Sequence, residues 1–360
     1  MINVNKPYLP DFDKYVDKIK TIWQTNHLTN YGTLHNLLET KIAEYLCLPK
    51  ICLINNCTNG LLMCLNEFDA GDEIITTPFS FVATTSTIVW SKLKPVFCDI
   101  DPEYFFINVD HIESKITSRT KAVIATHVYG NAGNLEKLQE ICSKHNIKLI
   151  FDAAHAFGVK YKGKSILDYG DASVLSFHAT KIYHSIEGGA IYSNKDEELS
   201  KYKLKSNFGI FNFEIKDVGI NSKMSEFNAA MGLCCLEEID DIINQRKKIF
   251  ETYCELLKMK NITIININKD IEWNYSYMPI LFKTEKILLE SVDRMKKDNI
   301  LPRRYFYPAL NEVCYVQRNE TPVASNETPV ASDVTRRVLC LPLYYGLIED
   351  DILKIVDCIN

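Results

Sequence analysis

Between residues 51 and 193 the chain repeats one pattern: a short apolar run, a polar break, and in most cases a helical stretch. The runs fall at 51–55, 73–77, 95–99, 122–126, 148–151, 174–177 and 189–193, with helical stretches at 61–67 and 135–145. Strands spaced by helices predict an α/β fold with a mainly parallel sheet covered on both faces. Near Met224 the period changes. Leu233, Leu236, Ile239, Ile242, Ile243, Ile249, Phe250, Tyr253 and Leu257 recur at three- and four-residue spacing, which predicts one long amphipathic helix over 225–258. Strands at 262–267 and 277–282 and a helix at 288–298 follow. A chain of 360 residues suggests two domains. With the boundary in the long helix, they are a large α/β domain over 1–240 and a smaller α+β domain over 241–360.

Charge and composition remove several functions. The 41 basic and 46 acidic residues leave a net charge of −5, which argues against nucleic-acid binding by bulk electrostatics. The start lacks a cationic segment followed by an apolar run, and no stretch approaches the roughly 20 apolar residues of a membrane span. A cytosolic protein is expected. The 12 cysteines include no CxxC pair and no Cys/His zinc spacing, so they read as small buried hydrophobes in a reducing compartment, with no metal site. A seven-residue unit, NETPVAS, occurs twice in tandem at 319–325 and 326–332, and predicts an exposed, mobile surface loop.

Three strand ends carry polar residues that a fold alone does not need, and ligands of open α/β sheets sit at such ends. Asn56-Cys57-Thr58-Asn59-Gly60 lies between a strand and a helix, where free N–H groups and the helix dipole favour phosphate. An ordinary N-cap turn accounts for that segment equally well. At the second of these ends, Asp152 closes the run at 148–151 and His155 follows it. A metal pair is one reading, but no third ligand stands at suitable spacing. Ser176-Phe177-His178-Ala179-Thr180-Lys181 follows the third, with Glu187-Gly188-Gly189 after it. A lysine beside a buried strand is costly as an ammonium and useful as an amine nucleophile, and the two glycines permit close backbone approach. Together the three supply a phosphate cradle, a carboxylate for a pyridinium nitrogen and an amine for a Schiff base. Those are the protein's contributions to pyridoxal phosphate chemistry. Phe81 is placed to stack on the cofactor ring, although a core position explains it as readily. A nicotinamide enzyme is disfavoured, because no GxGxxG follows a strand.

These segments, with Leu28-Thr29-Asn30-Tyr31-Gly32, Thr77-Pro78, His127-Val128-Tyr129-Gly130, Asn221-Ser222-Lys223-Met224-Ser225-Glu226, Arg303-Arg304-Tyr305-Phe306-Tyr307-Pro308 and Leu339-Cys340-Leu341-Pro342-Leu343, resemble the DegT/DnrJ family of nucleotide-sugar aminotransferases over nearly the whole chain. The resemblance implies a fold type I, aspartate-aminotransferase-like architecture and a homodimer with shared active sites. It implies that Lys181 links covalently to pyridoxal 5'-phosphate and that Asp152 pairs with the ring nitrogen. His155 then lies near the ring hydroxyl, Thr58, Asn59 and Ser176 bind phosphate, and Asn221 reaches the cofactor phosphate of the partner subunit. Relatives with histidine at the lysine position are dehydratases; lysine here implies amino transfer from L-glutamate. Ser-Phe-His-Ala-Thr-Lys with Glu-Gly-Gly resembles the C4-aminating, viosamine-type branch, which acts on dTDP-4-keto-6-deoxyglucose in O-antigen and lipopolysaccharide routes. C3-aminating relatives tend to read Ser-Phe-Tyr-Pro-Thr-Lys, and a silent, regulatory use of the fold is disfavoured by the intact Lys181, Asp152 and Ser176. Arg303, Arg304, Tyr305 and Tyr307 are candidates for nucleotide or pyrophosphate contacts, and His184 for the hexose. Cys57 stands where the family often has glycine, and its side chain is expected to crowd the phosphate loop.

Overall fold

A computed structural model describes residues 1–317 and 327–359. Its centre is a sheet of seven strands: β1 (Cys52–Ile54), β2 (Glu73–Thr76), β3 (Lys94–Phe97), β4 (Thr120–Thr126), β5 (Lys148–Asp152), β6 (Ala172–Ser176) and β7 (Gly189–Tyr192). The order is β1-β7-β6-β5-β4-β2-β3. β7 runs antiparallel to both neighbours, and the remaining pairs are parallel. All seven apolar runs are therefore strands, and the α/β expectation holds. Every residue of β1, β2, β6 and β7 is buried, because helices cover both faces.

The covering helices include five that follow the strands or link them: α3 (Cys57–Leu65), α4 (Val82–Trp90), α5 (Leu135–Lys144), α6 (Asp196–Lys205) and α7 (Glu226–Glu237). Two more precede the sheet, α1 (Phe12–Thr25) and α2 (Thr33–Tyr45). α2 packs on α7 at Gly232, where a β-carbon would stand 2.8 Å from both Leu38 and the Tyr183 hydroxyl. The Glu226 carboxylate accepts from the N–H groups of Leu34 and His35 at 2.8 Å each, satisfying the positive end of α2.

The predicted long helix is two. α7 ends at Glu237, Glu238 leaves helical geometry (φ −112°, ψ 3°), and α8 (Ile239–Leu257) begins next. Apolar spacing runs through the break without a Gly or Pro, so periodicity alone does not show it. α7 is buried in the core around the central sheet, whereas Ile249, Tyr253 and Leu257 of α8 enter a second core. That core joins an antiparallel sheet of β8 (Ile262–Ile264), β9 (Met278–Phe282) and β10 (Val338–Leu341) to α9 (Glu285–Lys297) and α11 (Glu349–Asp357). The two parts also interleave. Ile2 and Asn3 pair with Ile300 and Leu301, and Phe79, Phe105, Tyr129, Tyr277 and Phe306 form a shared aromatic cluster.

The NETPVAS duplication is not a uniform loop. Its first copy lies outside the described residues. The second opens α10 (Pro329–Arg337), with Pro329 in its first turn. Asp99 caps that helix, accepting from Val330 N–H at 2.9 Å and Ala331 N–H at 2.8 Å, while Thr328 is fully buried.

Candidate active site

The carboxyl ends of β1, β5 and β6 supply the three predicted segments. After β6 the chain makes a tight excursion. Phe177 N–H donates to Gly188 O (2.8 Å), Ala179 N–H to Ile186 O (2.7 Å) and Lys181 N–H to His178 O (2.8 Å). The His178 ring shapes the turn, its Nδ1 accepting from Thr180 N–H at 3.1 Å. Ile186 adopts φ 68°, an unusual state for a β-branched residue. Asn228 holds it there by donating to the flanking carbonyls of Ser185 (2.6 Å) and Glu187 (2.8 Å). The two glycines do allow close approach. A β-carbon on Gly189 would lie 2.6 Å from Leu175 O and 3.0 Å from Cys57 N.

Asp152 closes β5 and is 3% exposed. Three donors reach its carboxylate: the Thr84 hydroxyl to Oδ2 at 2.6 Å, Ala154 N–H to Oδ1 at 3.2 Å and the Cys57 thiol to Oδ1 at 4.0 Å. Burial raises its pKa, and the Thr84 and Ala154 hydrogen bonds and the charge of Lys181 pull it back. Lys181 is the converse case. Burial of its amine lowers the pKa, opposed by the Asp152 carboxylate. Its Nζ has no hydrogen-bond or ion-pair partner among the described residues. Lys181 lines one small cavity with His155, Ser176 and Tyr277.

The phosphate end is built on the start of α3. Asn56 caps the helix by accepting from Asn59 N–H at 2.8 Å, and the Asn59 side chain donates to Asn55 at 2.9 Å. The N–H groups of Cys57 and Thr58, in the first turn, have no partner within the helix. Thr58 is exposed, and the Ser176 hydroxyl stands at the end of β6. The available donors are thus two N–H groups and two hydroxyls, with Asn59 shaping the loop. Cys57 does not crowd it. Its side chain turns beneath the loop, toward Asp152 and Val174 O (3.7 Å).

A carboxylate with an unfilled lone pair, an unpartnered amine and open N–H groups at a helix start fit pyridoxal phosphate chemistry. The DegT/DnrJ/EryC1/StrS aminotransferase family matches residues 12–360. The chain belongs to this family. A dTDP-4-amino-4,6-dideoxy-D-glucose transaminase from Shigella dysenteriae is 40% identical, covering 100% of this chain and 98% of its own. One of that name from Escherichia coli is 38% identical over 98% of this chain and 96% of its own. Among solved structures, DesI with its TDP-sugar product superposes with a TM-score of 0.92 at 29% identity, over 99% of this chain and 91% of that one. Helicobacter pylori PseC, an aminotransferase of pseudoaminic acid biosynthesis, gives 0.89 at 27% identity, over 98% of each. The architecture is that of the aspartate-aminotransferase-like enzymes.

For this DegT/DnrJ family member the other expected site residues divide into two groups. His155 is buried beside Lys181. Its Nδ1 accepts from Tyr129 N–H (3.1 Å), so the neutral ring carries its proton on Nε2, 3.1 Å from the Tyr277 hydroxyl. Burial, then the charge of Lys181, holds its pKa well below the ordinary histidine value. Phe81 is half exposed at the start of α4, its ring 6.4 Å from that of Phe306. Arg303 is exposed, with its guanidinium 5.9 Å from the ring of Tyr305. Asn221 is exposed, its carbonyl accepting from Asn55 of the same chain at 3.4 Å.

Two expectations are corrected. His184 is 2% exposed, and both ring nitrogens are engaged: Nε2 with Tyr8 O at 2.7 Å, Nδ1 with Ile186 N–H at 3.2 Å. It anchors the Lys181 excursion from inside, with no ring nitrogen left to offer a hexose. Arg304 is likewise committed, to Glu285 (2.7 Å) and to the carbonyls of Thr335 (3.2 Å) and Arg336 (2.9 Å), with Tyr307 stacked 3.6 Å from its guanidinium. Thr84, Tyr277 and His178 were not singled out from the sequence. Nothing in a threonine three residues after Phe81 marks Thr84, and nothing about a tyrosine at the head of a strand distinguishes Tyr277 from core.

Proposed function

We propose that this chain transfers the amino group of L-glutamate to C4 of a nucleotide-linked 4-keto-6-deoxyhexose. The first candidate is dTDP-4-keto-6-deoxy-D-glucose, which would give dTDP-4-amino-4,6-dideoxy-D-glucose and 2-oxoglutarate. One observation carries the reading: an unpartnered Lys181 amine beside a firmly held Asp152, in a chain 40% identical to a transaminase of that name.

Pyridoxal phosphate, when bound, supplies an electron sink for the negative charge left by removal of an amino-acid α-proton. Asp152 would accept the proton of the ring nitrogen, and Phe81 would cover the ring. Cys57 and Thr58 N–H groups, with the Thr58 and Ser176 hydroxyls, would hold the phosphate. The Lys181 amine, whose neutral form burial favours, takes the α-proton of glutamate and later delivers a proton to C4 of the sugar. Neutral His155, fixed between Tyr129 and Tyr277, presents one defined tautomer to the site. Exposed Arg303 suits the nucleotide's phosphates better than Arg304, which is part-buried and tied through Nη2 to Glu285 and two carbonyls.

A second copy of the chain completes the proposed site. Trp90 is 82% exposed, and Phe211, Phe213 and Ile215 project on a hairpin near Asn221. Trp90 also lines a hollow of about 280 Å³ with Leu62, Met63, Phe68, Val218 and Ile220, the neighbour of Asn221. So much exposed apolar surface next to Asn221 supports a homodimer in which Asn221 serves the partner's cofactor phosphate. No helix among the described residues is long and apolar enough to cross a membrane, and we place the reaction in the cytosol, where nucleotide sugars are made.

The test is the purified, pyridoxal-phosphate-loaded protein with L-glutamate and dTDP-4-keto-6-deoxyglucose, with NMR of the product. A 4-amino-4,6-dideoxy sugar is expected. A C3-aminated product, or bleaching by glutamate without any aminated sugar, would overturn the substrate assignment. A protein that takes up no cofactor would overturn the whole reading.

A further inference from the structure

Asp152 is held by more than its neighbours on β5. The Thr84 hydroxyl, 2.6 Å away, lies 2.8 Å from the Ser80 hydroxyl, and Ser80 lies 3.0 Å from the Thr126 hydroxyl. All three hydroxyl residues are buried. Thr126 ends β4 and is the register partner of Asp152 across the sheet, so the chain of bonds leaves the sheet at one strand end and returns at the next.

The direction of every bond follows from one fact. An ionised carboxylate only accepts, so the Thr84 proton points to Asp152. Each hydroxyl has one proton. Ser80 must then donate to Thr84, and Thr126 to Ser80. No other arrangement satisfies all three contacts. Protonating Asp152 removes the constraint and lets the whole chain reverse. The carboxylate offers about four lone-pair sites. Thr84, Ala154 and Cys57 use three of them, leaving one for a further donor.

We propose that Thr126, Ser80 and Thr84 are positioning residues that deliver a one-way hydrogen-bond chain to Asp152, keeping it ionised and oriented so that its open lone pair faces the ring nitrogen of the cofactor. The proposal rests on the cofactor reading above. Thr84 contacts no reacting atom and acts through Asp152. Burial works against the ionised carboxylate, and the Thr84 bond is the strongest local influence opposing it.

The experiment compares wild type with Thr84→Val, Thr84→Ser and Ser80→Ala. Three quantities are read: pyridoxal phosphate affinity, the pH midpoint of the bound cofactor's visible band, and kcat and KM for the glutamate half-reaction. Thr84→Val matches the shape and removes the donor. It is expected to weaken cofactor binding and lower kcat by roughly ten- to a hundredfold, as for loss of a hydrogen bond to a charged group. The band's midpoint should shift while KM for glutamate stays within about twofold. Thr84→Ser should restore all three. Ser80→Ala, which keeps Thr84 but cuts the chain behind it, should shift the midpoint in the same direction by less, and it keeps the proposal testable if Thr84→Val misfolds. Wild-type affinity and midpoint in folded Thr84→Val, or in Ser80→Ala, would overturn the chain alone. A wild-type protein that binds no pyridoxal phosphate would instead overturn the cofactor reading on which it rests.

Discussion

Asp152 and Lys181 sit in one site and are built in opposite ways. The carboxylate ends a rigid strand, is buried, and takes three donors from the start of α3, from α4 and from its own turn. The amine rides on a loop, half-buried, and no group among the described residues holds it. The difference follows from what each must do. A group that fixes a ring must be over-determined, because misplacement by about 1 Å costs catalysis heavily. A group that carries a proton between atoms must not be trapped by a strong partner. Partners mark a fixed group, and their absence marks a mobile one.

The largest expected effect tests the mobile side. Lys181→Ala should lower turnover by at least about a thousandfold, the scale of a lost general acid–base, with no change in melting temperature. Borohydride should fix the cofactor to the wild-type protein and not to the variant, as mass spectrometry of the tryptic peptides would show. Near-normal turnover would end the distinction between the two groups. Asp152→Ala should act differently, weakening cofactor retention as well as rate, because the held group and its donors are lost together.

The same distinction applies to the adjacent arginines. Arg304 is held by Glu285 and two carbonyls, and the exposed Arg303 side chain has no hydrogen-bond or ion-pair partner among the described residues. Arg304→Ala removes these part-buried contacts and the stacking on Tyr307, and should cost about 1 kcal/mol of stability in urea titrations, with KM for the nucleotide sugar little changed. Arg303→Ala should leave stability alone and raise that KM about tenfold, the worth of one charge-assisted contact. Exchange of the two phenotypes would show that free and held arginines do not divide as free and held site groups do.

Much of this was legible in the sequence. Seven apolar runs gave seven strands because burial on both faces demands apolar residues of limited length. Lys181 and Asp152 stood out because each puts an ionisable group at the end of an apolar run, whereas Thr58 is ordinary at a helix start and was marked only by the family resemblance. Other features were not, and for physical reasons. The break at Glu238 leaves the apolar period intact. Tyr8, which engages His184 Nε2, lies 176 residues away and the partners of Arg304 lie 19 to 32 away, so no local spacing separates an engaged side chain from a free one. The hydroxyls behind Asp152 come from three segments, and a threonine or serine near a strand end is too common to stand out alone. The second NETPVAS copy reads as a loop by composition. It is helical because Asp99, more than 200 residues earlier, caps it.

The smallest effect concerns an open group that is not functional. His127 lies between Phe106 and Phe151, with ring centroids 5.7 and 4.6 Å away. Its Nδ1 contacts Asn131 O at 3.2 Å; a carbonyl only accepts, so Nδ1 carries the proton and Nε2 is bare and buried without a partner. Here the unpartnered atom faces an aromatic wall, and its protonation would bury a charge. Burial accordingly lowers the His127 pKa to about 4. The folded value is below the unfolded value of about 6.5, so the unfolded chain binds more protons between them. Stability should therefore fall as pH drops from about 6.5 through about 4, by roughly 3 kcal/mol in all from this residue. His127→Phe should flatten that part of the profile and cost little at pH 7, since an apolar ring replaces one with an unmet acceptor. Neutral, buried His155 should keep some acid sensitivity in the variant. Urea titrations between pH 4.5 and 7 decide it. Equal slopes for both proteins would mean that His127 keeps its ordinary pKa when folded, and that an unmet, buried nitrogen costs less here than its aromatic surroundings require.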